Sequence, residues 1–462
     1  MTVMKSGFAR LDITPHFGYN LAGYFFPRPA DGIITPLYVN AVVIDDGKNK
    51  AALVTIDACG AIEKCTREIR EYTSSLTGLE QDSIFISCTH THQGLGLYTL
   101  AGFNELVKSR IADAVKLALC DLAETKAYIN RTEAKGVAFV RLFKMKDGTT
   151  KTNPRINDRE NVLCPFGTPD ETVQLVRFKR ENAPDIAIVN FQMHPDVISG
   201  TRICHDWPGY VRSYLEAALF DEADGKGVRA ICFNGAEGDT AHVDRTRLSE
   251  GILPNRKGVE LSKHIARVIV GSVISAYTYA REISSDKVFY KRKPVLINST
   301  KKPSAEEVEI AYKVRETYNE GAKRAKAEGR SEWIGGSEAI KDLPMDFVTA
   351  RRYINLSTAP DVRTLYVSAV GFGDVCFVGF PGEPFTEIGR QTKALSPFEM
   401  TVPCCLTNDS AGYFPMKEVF GDVNGYEANA TPFEPGAAEK LISTAVSLTK
   451  ELKNIFDTNI TE

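Results

Sequence analysis

Apolar positions along this chain recur with two periods, and the two take turns. Alternating runs rich in Val, Ile and Leu predict strands at Leu37–Asp45 and Lys50–Asp57, joined into a hairpin by a turn at Asp46–Gly47. Ser83–Cys88, Val173–Phe178, Ile186–Gln192, Val228–Phe233 and Val367–Phe380 are compact apolar runs of strand character. Helical spacing covers Thr66–Leu76, Leu106–Ala123, Gly209–Leu219, Gly258–Ala280 and Gly436–Asn454. Residues 303–329 change character: a Glu- and Lys-rich run follows Ser304, which forms a capping box with Glu307. This stretch reads as a solvated amphipathic helix within a surface insertion around residues 300–345. Strands and helices alternate with no internal repeat, low-complexity tract or dividing linker. The expectation is an α/β fold in one large catalytic domain spanning residues 1–462.

Composition narrows the class. At 462 residues, 43% hydrophobic and 25% charged, the chain can bury a substantial core, which excludes wholesale disorder and fibrous architectures. Lys plus Arg number 56 against 59 Asp plus Glu, so there is no basic excess of the kind nucleic-acid binding requires. The best apolar stretch, around Val268–Tyr277, is too short to span a bilayer. The start, MTVMKSGFARLDITP, lacks the apolar run of a signal peptide, so a cytoplasmic location is expected. None of the ten cysteines forms a CxxC pair, and Cys232 and Cys376 sit inside apolar runs. Reduced, buried thiols are expected, not a cysteine zinc site. Self-association into a homo-oligomer is left open.

Chemistry-bearing residues collect just after the apolar strands. Only seven histidines occur, and His90 and His92 share one short loop, Thr89–Gly94, after the run Ser83–Cys88. On a continuing strand their side chains would face opposite ways; if the strand stops, both can approach one centre. Taken alone, HxH is a weak metal signal against structural histidines. His194–Pro195 follows the run ending at Gln192, and His205–Asp206 comes eleven residues later. Glu237 and Asp239 follow Asn234–Gly235, where glycines permit close backbone approach to a ligand, although a tight acidic turn accounts for them equally well. Glu383 lies in a Pro-Gly-Glu turn between a strand and a helix start, and Tyr413 and Tyr426 lie in loops further on. Histidines, a glutamate and a tyrosine scattered over separate strand ends suit a catalytic zinc rather than a compact structural finger.

The set THTHQGLG (residues 89–96), His194–Pro195, NGAEGD (234–239), PGE (381–383) and NDSAGY (408–413), together with GFARLDITP near the start, resembles the catalytic domain of the neutral/alkaline, non-lysosomal ceramidases. That resemblance implies mixed β-sheets with flanking helices. It implies a zinc ion held by His90, His194, Glu383 and Tyr413. It makes His92 the neighbouring catalytic histidine and places Arg141 and Tyr426 in the site. Members of that family are usually secreted or membrane-anchored and carry a C-terminal β-sandwich domain. Here the chain ends soon after the helix near Asn454, and no such domain is expected.

The implied reaction is hydrolysis of an amide bond in a small N-acyl substrate, ceramide or something smaller and soluble, by water that zinc has acidified to a pKa of about 7. Zinc with Tyr426 or His92 would stabilise the oxyanion, and His92 would protonate the leaving amine. Asp206 or Asp239 would orient a ligand from behind. The alternative is a zinc enzyme of the same fold acting on a lactone, ester or carbohydrate, as a lactonase, lyase or isomerase. A non-catalytic binding protein is disfavoured because all four implied ligands are present.

Overall fold

A computed structural model describes residues 3–248, 251, 257–283, 287–421 and 425–458. Strand β1 (Lys5–Asp12) opens a large sheet. The chain then makes a hairpin of β2 (Tyr38–Asp45) and β3 (Lys50–Ile56), crosses through α1 (Glu63–Thr77), and returns as β4 (Ile84–Cys88), parallel to β3. After α2 (Phe103–Cys120) and β5 (Ala123–Glu133) the pattern recurs. Hairpin β6 (Thr172–Arg180) and β7 (Asp185–Phe191) leads through α3 (Asp206–Ala218) to β8 (Val228–Asn234), parallel to β7. Next come α4 (Val259–Tyr277), a short β9 (Arg281–Ile283) and β10 (Val288–Asn298). A helical excursion of α5 (Ala305–Ala327), α6 (Glu332–Ala339) and α7 (Phe347–Ser357) follows. The pattern then appears a third time as hairpin β11 (Val362–Phe372) and β12 (Val375–Gly379), α8 (Thr386–Leu395), and β13 (Met400–Cys404), parallel to β12. Helices α9 (Tyr426–Ala430) and α10 (Ala437–Thr458) close the described chain. A parallel return needs a crossover long enough for a helix, so each unit carries one. The repeat is one of topology and left no trace of internal similarity in the sequence.

The large sheet runs β8-β7-β6-β5-β1-β2-β3-β4, with β9 on β5, and the smaller sheet runs β10-β11-β12-β13. Side-chain alternation assigns the faces. Val39, Ala41 and Val43 of β2 pack with Ile69 of α1 and Ile111 of α2, whereas Val42 and Ile44 point to the other side. That other side is a core shared by both sheets, with Phe85, Phe178, Phe233, Phe372 and Phe377 all fully buried. Helices α3 and α4 cover the rest of the large sheet's outer face, and α8 and α10 cover the outer face of the small sheet. The result is four layers, helix on sheet on sheet on helix, which accounts for strands that are apolar on both faces.

Several elements depart from their sequence expectations. The run Val367–Phe380 is two strands, because Gly373, with φ of 51°, turns the chain inside it. Strands β5 and β10 carry charged residues on one face and lack a compact apolar run. The helical excursion spans the whole interval between β10 and β11, which pair along their full length, and so its helices continue past residue 345 to Ser357. Nor is it only a solvated face. Ala311, Val314, Tyr318 and Ala322 of α5 form a small core with Phe347 and Ala350 of α7, and Phe25 packs on it from the N-terminal region. All ten cysteines are free, eight of them buried. Among the described residues no helix is long and apolar enough to cross a membrane.

A buried ion pair joins the first two units. Asp57, at the end of β3, accepts from both terminal nitrogens of Arg212 in α3, at 2.8 and 2.6 Å. The two residues are 0% and 2% exposed. Asp57 also accepts from the Tyr38 amide at 2.9 Å. Substituting Asp57→Asn keeps the shape and leaves the arginine's charge uncompensated, so unfolding in urea should show a loss of about 3–5 kcal/mol.

Candidate metal centre

The second or last strand of each of the three units ends at one place. Strand β4 ends at Cys88, and His90 then adopts the left-handed region with φ of 70°. That conformation is costly for a residue with a Cβ and persists only where surrounding contacts impose it. Here the His90 amide donates to the Ala58 carbonyl at 2.9 Å. The turn brings His90 and His92 to one centre, with Nε2 atoms 3.3 Å apart. His194 arrives from the end of β7, and its Nε2 lies 3.2 Å from that of His90 and 3.1 Å from that of His92. Asn234, at the end of β8, ties these loops together, accepting from the Met193 amide at 3.2 Å and donating to the Thr89 carbonyl at 3.3 Å.

The third unit supplies the remaining wall. Glu383 and Tyr413 are register partners in a two-residue parallel ladder, Glu383–Pro384 against Tyr413–Phe414. Glu383 Oε2 lies 3.4 Å from His90 Nε2 and has no hydrogen-bond partner although it is buried. The backbone of Gly238 passes so close that a Cβ there would come within 2.6 Å of the Glu383 carbonyl oxygen, which explains a glycine at that position.

The far sides of the rings decide what the near sides can do. His90 Nδ1 is 2.6 Å from the Cys59 carbonyl oxygen, an acceptor, so it must carry the proton. His194 Nδ1 is 2.5 Å from Glu237 Oε2 and donates likewise. In the neutral rings both Nε2 atoms therefore present lone pairs to each other, with the unpartnered carboxylate oxygen beside them. Such a cluster of donors repels itself unless a proton or a metal cation sits among them. Nitrogens placed about 2.0–2.1 Å from a tetrahedral zinc would stand about 3.3 Å apart. The donor set and its spacing fit that ion. Four donor groups, His90, His194, Glu237 and Glu383, have atoms all within 4.8 Å of one another. Burial holds the pKa values of His92 and His194 well below that of a free histidine, which favours the neutral, ligating form. For His90 burial also lowers the pKa, but the charge of Glu383 opposes it and the net direction is upward. Glu383 resists its own burial through His90 and stays below the usual carboxylate range.

A cavity of about 450 Å³ opens over this cluster, lined by His90, His92, Glu383, Tyr413 and Tyr426 on its floor and by Tyr24, Phe25, Tyr98 and Arg351 further out. No protein-family model matches the chain. Among solved structures, the neutral ceramidase from Pseudomonas aeruginosa superposes with a TM-score of 0.70 at 15% identity, covering 98% of this chain and 75% of that one. A ceramidase complexed with C2 gives 0.69 at 14% identity, covering 98% and 76%. The chain has the neutral ceramidase fold. At this identity the likeness is one of architecture.

On the ceramidase fold the sequence-derived residues separate into two groups. His90, His92, His194, Glu383, Tyr413 and Tyr426 meet at the cavity or directly beneath it. Arg141 lies next to Tyr413, its guanidinium carbon 5.5 Å from the ring centroid, with Nε donating to Glu427 at 2.7 Å. Asp206 and Asp239 do not orient a ligand. Asp206 accepts from the Val197 and Ile198 amides and from Ser262, so it braces the loop after His194 and touches no histidine of the cluster. Asp239 accepts from the amide and hydroxyl of Thr386 at the start of α8, both at 2.7 Å. The orienting groups are Glu237 and the Cys59 carbonyl. Glu237 stood in the Gly-rich acidic turn, but spacing alone could not prefer it to Asp239. Phe25 and Arg351 carried no local signal at all, because they come from a distant loop and a distant helix.

Asp239 gives a pH-dependent test. Burial raises its carboxyl from 3.8 to about 6, so between those values the native state holds a proton that the unfolded chain has released. Its contribution to stability therefore falls as pH rises through that window. Asp239→Asn keeps the acceptor for Thr386 and removes the fall. Urea unfolding at about pH 4.5 and about pH 7 should show the variant gaining about 2 kcal/mol relative to wild type on going from the lower to the higher pH.

Proposed function

We propose that this chain is a zinc-dependent hydrolase that cleaves the amide bond of a small N-acyl compound, acting as a single catalytic domain. The observation that carries the reading is the convergence of three histidine Nε2 atoms and an unpartnered glutamate oxygen on the floor of an open cavity. The ceramidase neighbours share this fold, which makes amide hydrolysis the first chemistry to consider. His90, His194, Glu383 and Tyr413 would hold the ion. Bound there, zinc acidifies water to a pKa of about 7 and polarises the acyl oxygen.

The chain's own residues have distinct tasks. Tyr426 lines the cavity, and burial pushes its phenol up to about 12, so it is a proton-bearing donor at neutral pH. It would hydrogen-bond the acyl oxygen as negative charge develops there. His92 is neutral, with Nε2 inside the cluster and Nδ1 3.9 Å from Asp196. It would take up the proton released by the attacking water and return it to the departing amine. Its ring is walled by Tyr24, whose hydroxyl donates to Asp196, and by Gly23, where a Cβ would come within 2.7 Å of the imidazole. Arg141 is a fixed cation: burial lowers its pKa, but Glu427 and then Tyr413 raise it further, and the net direction is up. It would keep the Tyr413 oxygen turned toward the ligand cluster.

Metal analysis of the purified protein should find about one zinc per chain, absent after His90→Ala. Tyr426→Phe should retain the zinc and lose roughly 10²–10³-fold in kcat on an N-acyl substrate. Failure to take up zinc after reconstitution would exclude the mechanism. Retention of full activity by Tyr426→Phe would remove that tyrosine from it.

A further inference from the structure

The cavity has one arginine at its mouth with no anion to answer it. Arg351 comes from α7, in the helical excursion between β10 and β11, a helix whose start is capped by Asp346 accepting from the Val348 and Thr349 amides. Among the residues lining the cavity it is the only lysine or arginine. It is exposed, and among the described residues no carboxylate pairs with it and no hydrogen bond engages it. Elsewhere near the site Arg141 is paired with Glu427 and Arg212 with Asp57, while Arg28 is buried and held by the carbonyls of Ala22 and His92.

Its position is set by aromatic packing. The guanidinium carbon sits 4.7 Å from the centroid of Phe25. Phe25 in turn stacks on Trp333 at 5.7 Å, meets Phe347 edge-on at 5.7 Å, and lies 6.3 Å from Tyr426. Tyr426 is 5.6 Å from Tyr413, the register partner of Glu383. A continuous aromatic wall thus runs from the arginine down to the ligand cluster. Although open to the cavity, Arg351 is crowded by protein. Desolvation lowers its pKa, and the groups that counter it are the phenols of Tyr426 and Tyr98, which carry no charge at neutral pH. An exposed guanidinium with no carboxylate partner is available to an incoming anion, and its planar fork matches an oxyanion. A single cation in the cavity lining suits a carboxylate better than a dianionic phosphate.

We propose that Arg351 is the specificity residue of the cavity and that the substrate carries a carboxylate, as an N-acyl amino acid does. The proposal rests on the zinc-hydrolase reading, which supplies the opposite end of the substrate site. It makes the helical excursion part of substrate selection and separates this chain's preference from that for a neutral lipid amide.

The test uses the zinc-reconstituted full chain and calorimetric titration with hydroxamates, which bind zinc through the hydroxamate group. Each compound bears a terminal carboxylate on a spacer of increasing length and is compared with its uncharged carboxamide twin. At one spacer length the carboxylate should bind at least tenfold more tightly than its twin. Arg351→Gln should bring the two to equal affinity, and Arg351→Lys should restore part of the difference. Circular dichroism of each variant checks that it is folded, as expected for a side chain held only against Phe25. Carboxamides that bind with no carboxylate preference at any spacer would overturn the proposal and leave the zinc site standing, as would a preference that survives Arg351→Gln. If neither series binds, the zinc reading itself fails and the proposal falls with it.

Discussion

The site depends on a buried ion pair that is not part of it. Asp57 and Arg212 meet in bidentate fashion with almost no exposure, one at the end of β3 and the other in α3. Two desolvated charges of this kind are tolerable only when each is fully answered. Asp57 meets that condition by also accepting from the Tyr38 amide and, at 3.3 Å, from the Thr89 hydroxyl directly beside His90. One carboxylate therefore fixes the end of the first hairpin, the helix of the second unit and the loop that carries two histidines. This anchor works together with the His90 amide bond to Ala58 and the Asn234 bond to Thr89 in holding His90 in the left-handed conformation that turns its ring toward His194.

The same logic extends through the three hairpin–helix–strand units. Their parallel strands point their C-terminal ends at a shared centre, where chain ends of α/β sheets commonly place ligands. The first unit delivers His90 and His92, the second His194 and Glu237, the third Glu383 and Tyr413. The two sheets must pack face to face for these ends to meet, and the phenylalanines between them enforce that packing. Asparagines at the seams complete the joint. Asn234 bonds to both histidine loops, and Asn408, with φ of 58°, accepts from the Ile86 amide and donates to Ser368. A cluster of lone pairs aimed at one point is thus held from behind by Glu237 and a backbone carbonyl, which set the tautomers.

Around this centre the outer wall follows a different rule. The ligand cluster is built from strand ends of both sheets, whereas the mouth is built from a loop near the N-terminus and a helical excursion with its own small core. Phe25 joins them by packing on Tyr318's neighbours Trp333 and Phe347 while lining the cavity. Such a division lets the mouth vary in shape and charge with little strain on the metal-binding floor.

Much of the fold was legible in the chain because strands buried between two layers must be apolar and short, and the helices covering them must show helical spacing. The hairpin at Asp46–Gly47 and the helices could be picked out from local residue types, whereas the set His90, His194, Glu383 and Tyr413 was implied by the resemblance of the surrounding motifs to the ceramidases. Strands exposed on one face, such as β5 and β10, could not, since their charges mask the alternation. Tertiary structure alone decided which carboxylate stands behind which histidine. Glu237 and Asp239 are two residues apart, and only the path of β8 relative to β7 turns the first to His194 and the second to Thr386. It alone brought Arg351 within reach of a cavity whose floor lies in other parts of the chain. Periodicity records which face of an element is buried; it holds no record of what lies across the gap, because that contact is made between residues that no local pattern connects.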